Sequence, residues 1–341
     1  MFKLKNVLAA SVFAAAMIAA NGALAADFKA CQITDTGGVD DKGFNQIAWK
    51  GVQDAEKELG IEGKLLESKA ETDYQQNLNA FINEKCDIII TVGFLLGDAT
   101  KAAAEAHPDV KFSIVDYAYD PVVPNILGQV YATDEAAFLA GYLAAGMSKT
   151  GVVGTFGGIN IPPVSIFMDG FARGVAYYNK EKGADVQVLG WDPETKEGLF
   201  TGNFNSLDDG RAFAKNLNEE GADIVMPVAG PVGQGSAALA SELGIDKLKI
   251  IGVDVDQYET DPEHKGVFLT SVVKRMDATV IDAIKQAKDG SFKGGVTVGT
   301  LASGGVGLAP FHDLDSAVPD ELKAELAKLE AGIKDGSISI E

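Results

Sequence analysis

The residues with most chemical potential in this chain come at the ends of short β-branched runs. The run Phe28 to Thr34 leads into Asp35-Thr36-Gly37-Gly38-Val39-Asp40-Asp41-Lys42-Gly43-Phe44-Asn45-Gln46, a polar loop that carries an aromatic and an amide to the start of a helix. Turning and helix capping account for the glycines and some acids. They leave Phe44 unexplained, so Phe44 and Asn45 are read as groups that face a ligand. Asp116 follows Phe112-Ser113-Ile114-Val115, and Gly202-Asn203-Phe204-Asn205 precedes a helix beginning near Leu207. Val228-Ala229-Gly230-Pro231-Val232-Gly233 and Gly252-Val253-Asp254-Val255-Asp256 close two further runs, and Lys274 follows Ser271 on a later one.

Singly, each of these acids reads as a cap or hinge residue. As a group they describe a cleft with aromatic walls, Phe44 and Phe204, the acids Asp35, Asp116 and Asp254, and a glycine whose backbone allows close approach. Two rings can sandwich a flat group by stacking. Carboxylate oxygens accept hydrogen bonds from vicinal hydroxyls or ring N–H groups, as a sugar or a purine edge presents them. Lys274 would donate to a remaining acceptor and offset the acids.

Enzyme chemistry needs other parts. Ser271-x-x-Lys274 matches a nucleophile motif of penicillin-binding enzymes, yet it lies on an expected strand and has no Ser-Asp-Asn companion. His107, His264 and His312 are scattered, without Cys or His neighbours at metal spacing. Gly230-x-x-Gly233-x-Gly235 reverses the spacing of the dinucleotide fingerprint, and no Lys-Ser or Lys-Thr follows it. Asp40-Asp41 and Asp254/Asp256 would suit a glycosidase or a calcium-binding nucleoside hydrolase, but nothing groups the acids into a metal cage. The expectation is binding without chemistry, with no cofactor and no metal.

To position these residues the chain offers short strands alternating with helices. Strands are expected at Phe28 to Thr34, Lys64 to Ser68, Asp87 to Val92, Lys111 to Val115 and Ile126 to Val130. A second block has Val152 to Phe156, Val186 to Leu189, Ile224 to Val228 and Lys249 to Val253. Helical spacing marks Phe44 to Leu59 and Asp134 to Met147. Such alternation implies parallel sheets covered by helices on both faces. Two doubly wound parallel-sheet lobes of an α/β protein follow. A strand at Gly266 to Ser271, a helix from Asp277 to Lys288, a strand at Val296 to Leu301 and a helix from Asp320 to Asp335 are too few for a third domain. They are expected to complete the two sheets, making a multi-strand hinge. The expected division is 1–25 as a signal peptide, 26–130 plus about 255–295 as the N-terminal lobe, and 131–254 plus about 296–341 as the C-terminal lobe. In open parallel sheets, ligands bind beyond the carboxyl ends of the strands.

The first residues place Lys3 and Lys5 before an apolar run from Val7 to Ala20, then Asn21-Gly22 and Ala23-Leu24-Ala25. That is the pattern of a secretory signal peptide cleaved after Ala25. No Cys stands at the cleavage point, so a protein free in the periplasm is expected. Without the two leader lysines the chain carries 27 basic against 49 acidic residues, a net charge of −22. Such a surface repels nucleic acid and anionic lipid. Cys31 and Cys86 can form a disulfide in an oxidising compartment, but buried free thiols fit the sequence equally well.

The run from Val39 to Gln46, read with Ala48-Trp49-Lys50-Gly51, resembles the signature of the basic membrane protein family, purine-nucleoside-binding components of ABC transporters. Asp116, Phe171 within Met168-Asp169-Gly170-Phe171, Ala229-Gly230, Gly252-Val253-Asp254 and Ser271-Val272-Val273-Lys274 fall in the family's order. The resemblance implies the type I periplasmic binding protein fold. Phe44 and Phe204 would then stack on the base, Asp35 and Asn45 read its edge, and Asp116, Gly230, Asp254 and Lys274 hold the ribose. The segment Trp191 to Gly202 is longer than the family's usual connection, which leaves Trp191 or Phe200 as alternatives to Phe204. The implied partners are a purine nucleoside and an inner-membrane ABC permease, with the chain a monomer. A free nucleobase or another small polar metabolite is the alternative cargo, and a nucleoside-cleaving enzyme or a sensory receptor domain the alternative class.

Overall fold

The computed structural model describes residues 28–340, so the expected signal peptide, 1–25, lies outside the described residues. The first block folds as β1 (Lys29–Ile33), α1 (Phe44–Leu59), β2 (Glu62–Leu66), α2 (Tyr74–Asn83), β3 (Ile88–Val92), α3 (Gly97–Ala106), β4 (Lys111–Val115) and β5 (Ile126–Tyr131). The second runs through α4 (Thr133–Met147), β6 (Val152–Gly157), α5 (Pro162–Lys182), β7 (Gln187–Leu189), the ribbon strands β8 (Trp191–Asp192) and β9 (Glu197–Gly198), α6 (Leu207–Glu219), β10 (Ile224–Val228), α7 (Val232–Leu243) and β11 (Lys249–Asp254). The chain ends with α8 (Gln257–Thr260), β12 (Phe268–Lys274), α9 (Met276–Asp289), β13 (Gly295–Gly299), β14 (Val306–Leu308) and α10 (Asp320–Lys334).

Two six-stranded sheets result, ordered β2-β1-β3-β4-β5-β13 and β7-β6-β10-β11-β12-β14. All pairings are parallel except β12 with β14. Each sheet therefore reverses its winding at one place, between β1 and β3 in the first and between β6 and β10 in the second. At such switch points the loops leave in opposite directions and open a crevice. The central strands β3 and β10 are buried along their whole length, which is why both read as continuous apolar runs.

The return segment 255–295, expected with the first lobe, is divided. β12 lies beside β11 in the second sheet, whereas α9 packs on α1 and β13 pairs with β5 in the first. The reason is local: α8 makes a short crossover, and consecutive strands joined that way settle as neighbours. β14 then returns to the second sheet. The chain thus passes between the sheets after Tyr131, Lys274 and Gly299. These passages lie side by side, with Ala132 N–H donating to Gly299 O at 2.8 Å and Arg275 N–H to Gly305 O at 2.9 Å. This is the expected multi-strand hinge.

Two details fix the elements that carry the site. α4 and α5 cross with their backbones in contact: a Cβ on Gly141 would lie 2.0 Å from the carbonyl oxygen of Phe171, and one on Gly174 2.0 Å from that of Phe138. Larger residues there would push α5 away from the cleft. In the first sheet Cys31 and Cys86 form a disulfide, with Cα atoms 6.1 Å apart, tying β1 to the turn that leads into β3.

Candidate binding site between the lobes

Asp35, Phe44, Asn45, Asp116, Phe204, Gly230, Asp254 and Lys274 all line one cavity between the two sheets. All but Phe204, which lies in the loop before α6, are delivered by a strand end or helix start. Asp35 follows β1, Phe44 and Asn45 open α1, Asp116 follows β4, Gly230 follows β10, and Asp254 and Lys274 end β11 and β12.

At one end, Asp35 is buried and already partly satisfied. Its Oδ1 accepts from Tyr74 Oη–H and from Thr36 N–H, the latter at 2.6 Å. Burial pushes its carboxyl above the usual range, against the pull of these two bonds. Asn45 is locked as well: its Oδ1 accepts from Asp35 N–H at 3.2 Å, leaving its amide nitrogen as the free donor. Beneath them Asp41 accepts from the N–H groups of Gly43, Asn45 and Gln46 at 3.0, 2.7 and 3.1 Å. That carboxyl satisfies donors at the start of α1 and holds the turn that aims Phe44 and Asn45. Burial pushes its pKa up to about 6, with the hydrogen bonds opposing.

The other end is ionic. Lys274, 3% exposed, extends its Nζ to Asp116 Oδ2 at 2.7 Å and Asp254 Oδ1 at 3.3 Å. Burial works against the ammonium, but the two carboxylates outweigh it and hold Lys274 above its ordinary pKa. Asp116 and Asp254 stand at φ 65° and 70°, a left-handed conformation that aspartate tolerates better than most residues. Gly230, at φ 55°, makes the matching turn after β10. The Lys274 ammonium also lies 4.9 Å from the Phe44 ring centroid and 5.4 Å from that of Phe167, close enough for cation–π attraction.

Phe171, expected from the sequence among the ligand-binding residues, is the exception. It is fully buried in α5 beneath α4 and does not border the cavity. Phe167, four residues earlier, borders it instead. One helical turn separates the two, so their side chains share a face, and the α4 crossing covers the later one. The alternatives to Phe204 are placed elsewhere: Trp191 Nε1–H donates to Asp169 Oδ1 at 3.0 Å and meets Phe200 edge-on, and neither ring lines the cavity. Sequence reasoning gave no place in the binding site to Phe94, Asp41 or Phe167. Phe94 follows β3 with only Gly93 between, so it stands at a strand end as Asp35 does. Asp41 lies in the loop between β1 and α1 among other acids equally suited to capping.

The other candidate motifs are occupied elsewhere. Ser271 Oγ accepts from Gln257 N–H at 3.1 Å, and Ser271 and Lys274, three apart on a strand, point to opposite faces. Lys149-Thr150-Gly151, a Lys-Thr-Gly sequence of the penicillin-binding type, lies before β6, where Lys149 pairs with Asp246 at 2.9 Å. His264 and His312 bond Asp261 and Asp256, at 2.8 and 2.7 Å.

Two parallel-sheet lobes with a hinge on one side and a ligand-sized cleft between their switch points define a solute-binding protein of the type I periplasmic binding kind. The chain belongs to the Bmp family, described as ABC transporter substrate-binding protein PnrA-like, whose model matches residues 28–341. It is 32% identical to the ABC transporter nucleoside-binding protein BmpA of Lactococcus lactis, covering 98% of this chain and 99% of that one. It is also 32% identical to basic membrane protein A of Borreliella burgdorferi, covering 92% and 88%. The crystal structure of an ABC transporter system solute-binding protein from Aeropyrum pernix superposes with a TM-score of 0.82 at 25% identity, over 92% of each chain.

Proposed function

We propose that this chain captures a purine nucleoside in the periplasm and delivers it to an inner-membrane ABC permease, without acting on it. One observation carries the reading: the cleft sets an aromatic from each lobe, Phe44 and Phe204, between a hydrogen-bonding end and an ionic end. A flat heterocycle suits the aromatic walls. Its edge would meet Asp35 Oδ2 and the Asn45 amide, and the vicinal hydroxyls of its ribose would meet Asp116, Asp254 and Lys274, with Gly230 leaving room for the sugar. The relative named as nucleoside-binding supports this cargo. In this reading residues 1–25 direct export, and the mature chain works as a monomer whose closed lobes are what the permease recognises.

Calorimetry with adenosine, guanosine, inosine, their free bases and ribose tests the proposal. Tight uptake of a nucleoside, much weaker uptake of its separate parts, and recovery of unchanged nucleoside are expected. Binding of ribose or a free base as tight as that of any nucleoside would overturn the cargo, and product in the same tube would overturn the transport role.

A further inference from the structure

A second chamber adjoins the slot at its ionic end. It shares Phe94, Asp116, Pro163 and Lys274 with the slot and continues past them between Tyr117 of the first lobe and Ile166 of α5. Its cavity volume is about 290 Å³, against about 70 Å³ for the slot. The slot suits a planar group, whereas the chamber has room for a further substituent that the nucleoside itself does not supply.

We propose that this chamber is a subsite for an uncharged, mainly apolar substituent on the 5′ carbon of a bound nucleoside. The inference rests on the nucleoside reading of the slot. There the vicinal hydroxyls are held by Asp116, Asp254 and Lys274, which leaves the 5′ carbon as the sugar position free to extend past those residues. The chamber's walls set the chemistry. Phe94 and Tyr117 pack with ring centroids 4.9 Å apart, and Tyr117 continues to Tyr119 at 4.7 Å. Ile166 and Pro162 close the other side. A thioether fits such walls well, because sulfur lies favourably against aromatic edges. Thr133, which also borders the chamber, has a buried Oγ1 with no partner among the described residues. One polar atom on the substituent could therefore be satisfied there.

An anionic substituent is disfavoured at the same place. The neck carries the Asp116 carboxylate, and the one ammonium beside it, Lys274, is already shared between Asp116 and Asp254. A 5′-phosphate would meet a carboxylate with no free cation among the described residues that line the chamber.

The test is calorimetry on the full chain with adenosine and inosine, their 5′-deoxy-5′-methylthio derivatives and their 5′-monophosphates. The methylthio derivative should bind at least as tightly as whichever parent binds, and the monophosphate about tenfold or more weaker. Ile166→Trp, which fills the chamber and lies outside the slot, should weaken the methylthio ligand about tenfold and leave the parent within about threefold. Ala118→Leu, on the opposite wall, is the second variant should the first unfold. Parents that bind while the methylthio derivatives are excluded, a monophosphate as tight as its parent, or variants that weaken both ligands alike would each overturn the subsite alone. Failure of every nucleoside to bind would overturn the reading of the slot, and the subsite with it.

Discussion

The two ends of the cleft are built on different plans. The Asp35 and Asn45 end belongs mainly to one lobe: the hydrogen bonds to the Asp35 and Asn45 side chains come from α2 or the loop between β1 and α1, while the turn beneath them is also held from the second lobe by Gln234 Nε2–H on Asp41 O. The Lys274 end belongs to both, because Asp116 follows a strand of the first sheet while Asp254 and Lys274 end strands of the second. The side-chain bonds of Asp35 lie within the first lobe. At the second end, the Lys274–Asp116 contact joins the two lobes. On the proposed nucleoside reading, recognition of a flat edge and the link between the lobes would fall to different groups, and the lysine that joins the lobes stands at one of the three hinge passages.

The largest expected effect follows from breaking the shared end. Lys274→Met leaves two buried carboxylates without their cation, a loss on the order of 3 to 5 kcal/mol of stability. Urea denaturation should show it, and calorimetry should show nucleoside binding fall below detection. Adding Asp116→Asn should restore much of the stability but not the binding. If the single variant is as stable as the parent, the ion cluster does not join the lobes as described.

The one-lobe end can be probed by pH. Asp41 holds its proton more tightly in the folded chain, with a pKa of about 6, than in the unfolded chain, where the ordinary value of 3.8 applies. Its contribution to stability is complete below the unfolded value and is lost as pH rises through the folded one. Asp41→Asn stays neutral throughout. Relative to that variant, the parent should lose up to about 3 kcal/mol as pH rises from 3.8 to about 6. Unfolding free energies measured across that range check the slope; a pH-independent difference would show that the three hydrogen bonds to Asp41 balance its burial, and a reversed slope that they outweigh it.

The aromatic walls sit between the two ends and sharpen the comparison through affinity. Phe44→Ala should weaken nucleoside binding by roughly 1 to 3 kcal/mol, the size of base stacking on an aromatic ring, with folding largely preserved. Phe171→Ala should do the reverse, destabilising the α4–α5 crossing by about 3 to 5 kcal/mol as a buried ring is removed, with affinity near parental under folding conditions. Equal affinity in the parent and Phe44→Ala would end the stacking argument.

Much of this was legible in the chain because strand ends announce themselves. Asp35, Asp116, Gly230 and Asp254 each follow an apolar run directly, so placing the strands places the site. What was hidden depends on distances between elements. Whether β12 joins the first or the second sheet turns on which neighbour its crossover reaches, and no residue within Phe268–Lys274 records that choice. Phe167 and Phe171 have the same character and the same helical face, and only the crossing of α4 separates the lining ring from the buried one. The Cys31–Cys86 bridge likewise required β1 and the turn before β3 to be adjacent, since two cysteines alone fit a disulfide and free thiols equally.

The smallest expected effect comes from the rim opposite the hinge, where the loop of the first lobe touches the second. Lys42 Nζ reaches Asp261 Oδ1 at 3.2 Å, Thr260 Oγ1–H donates to Lys42 O at 2.8 Å, and Gln234 Nε2–H donates to Asp41 O at 2.9 Å. These contacts cross the same gap as Lys274–Asp116, but the Lys42 side chain is 36% exposed where that of Lys274 is 2%. Water and salt therefore screen one link and scarcely touch the other. Lys42→Ala should cost on the order of 0.2 to 1 kcal/mol of closure. It should appear as a slightly larger radius of gyration by X-ray scattering without ligand and an affinity loss of no more than about fivefold. The loss should shrink in 1 M salt, whereas that of Lys274→Met should persist. An equal and salt-insensitive loss in both variants would mean that the rim, and not the hinge side alone, reports closure.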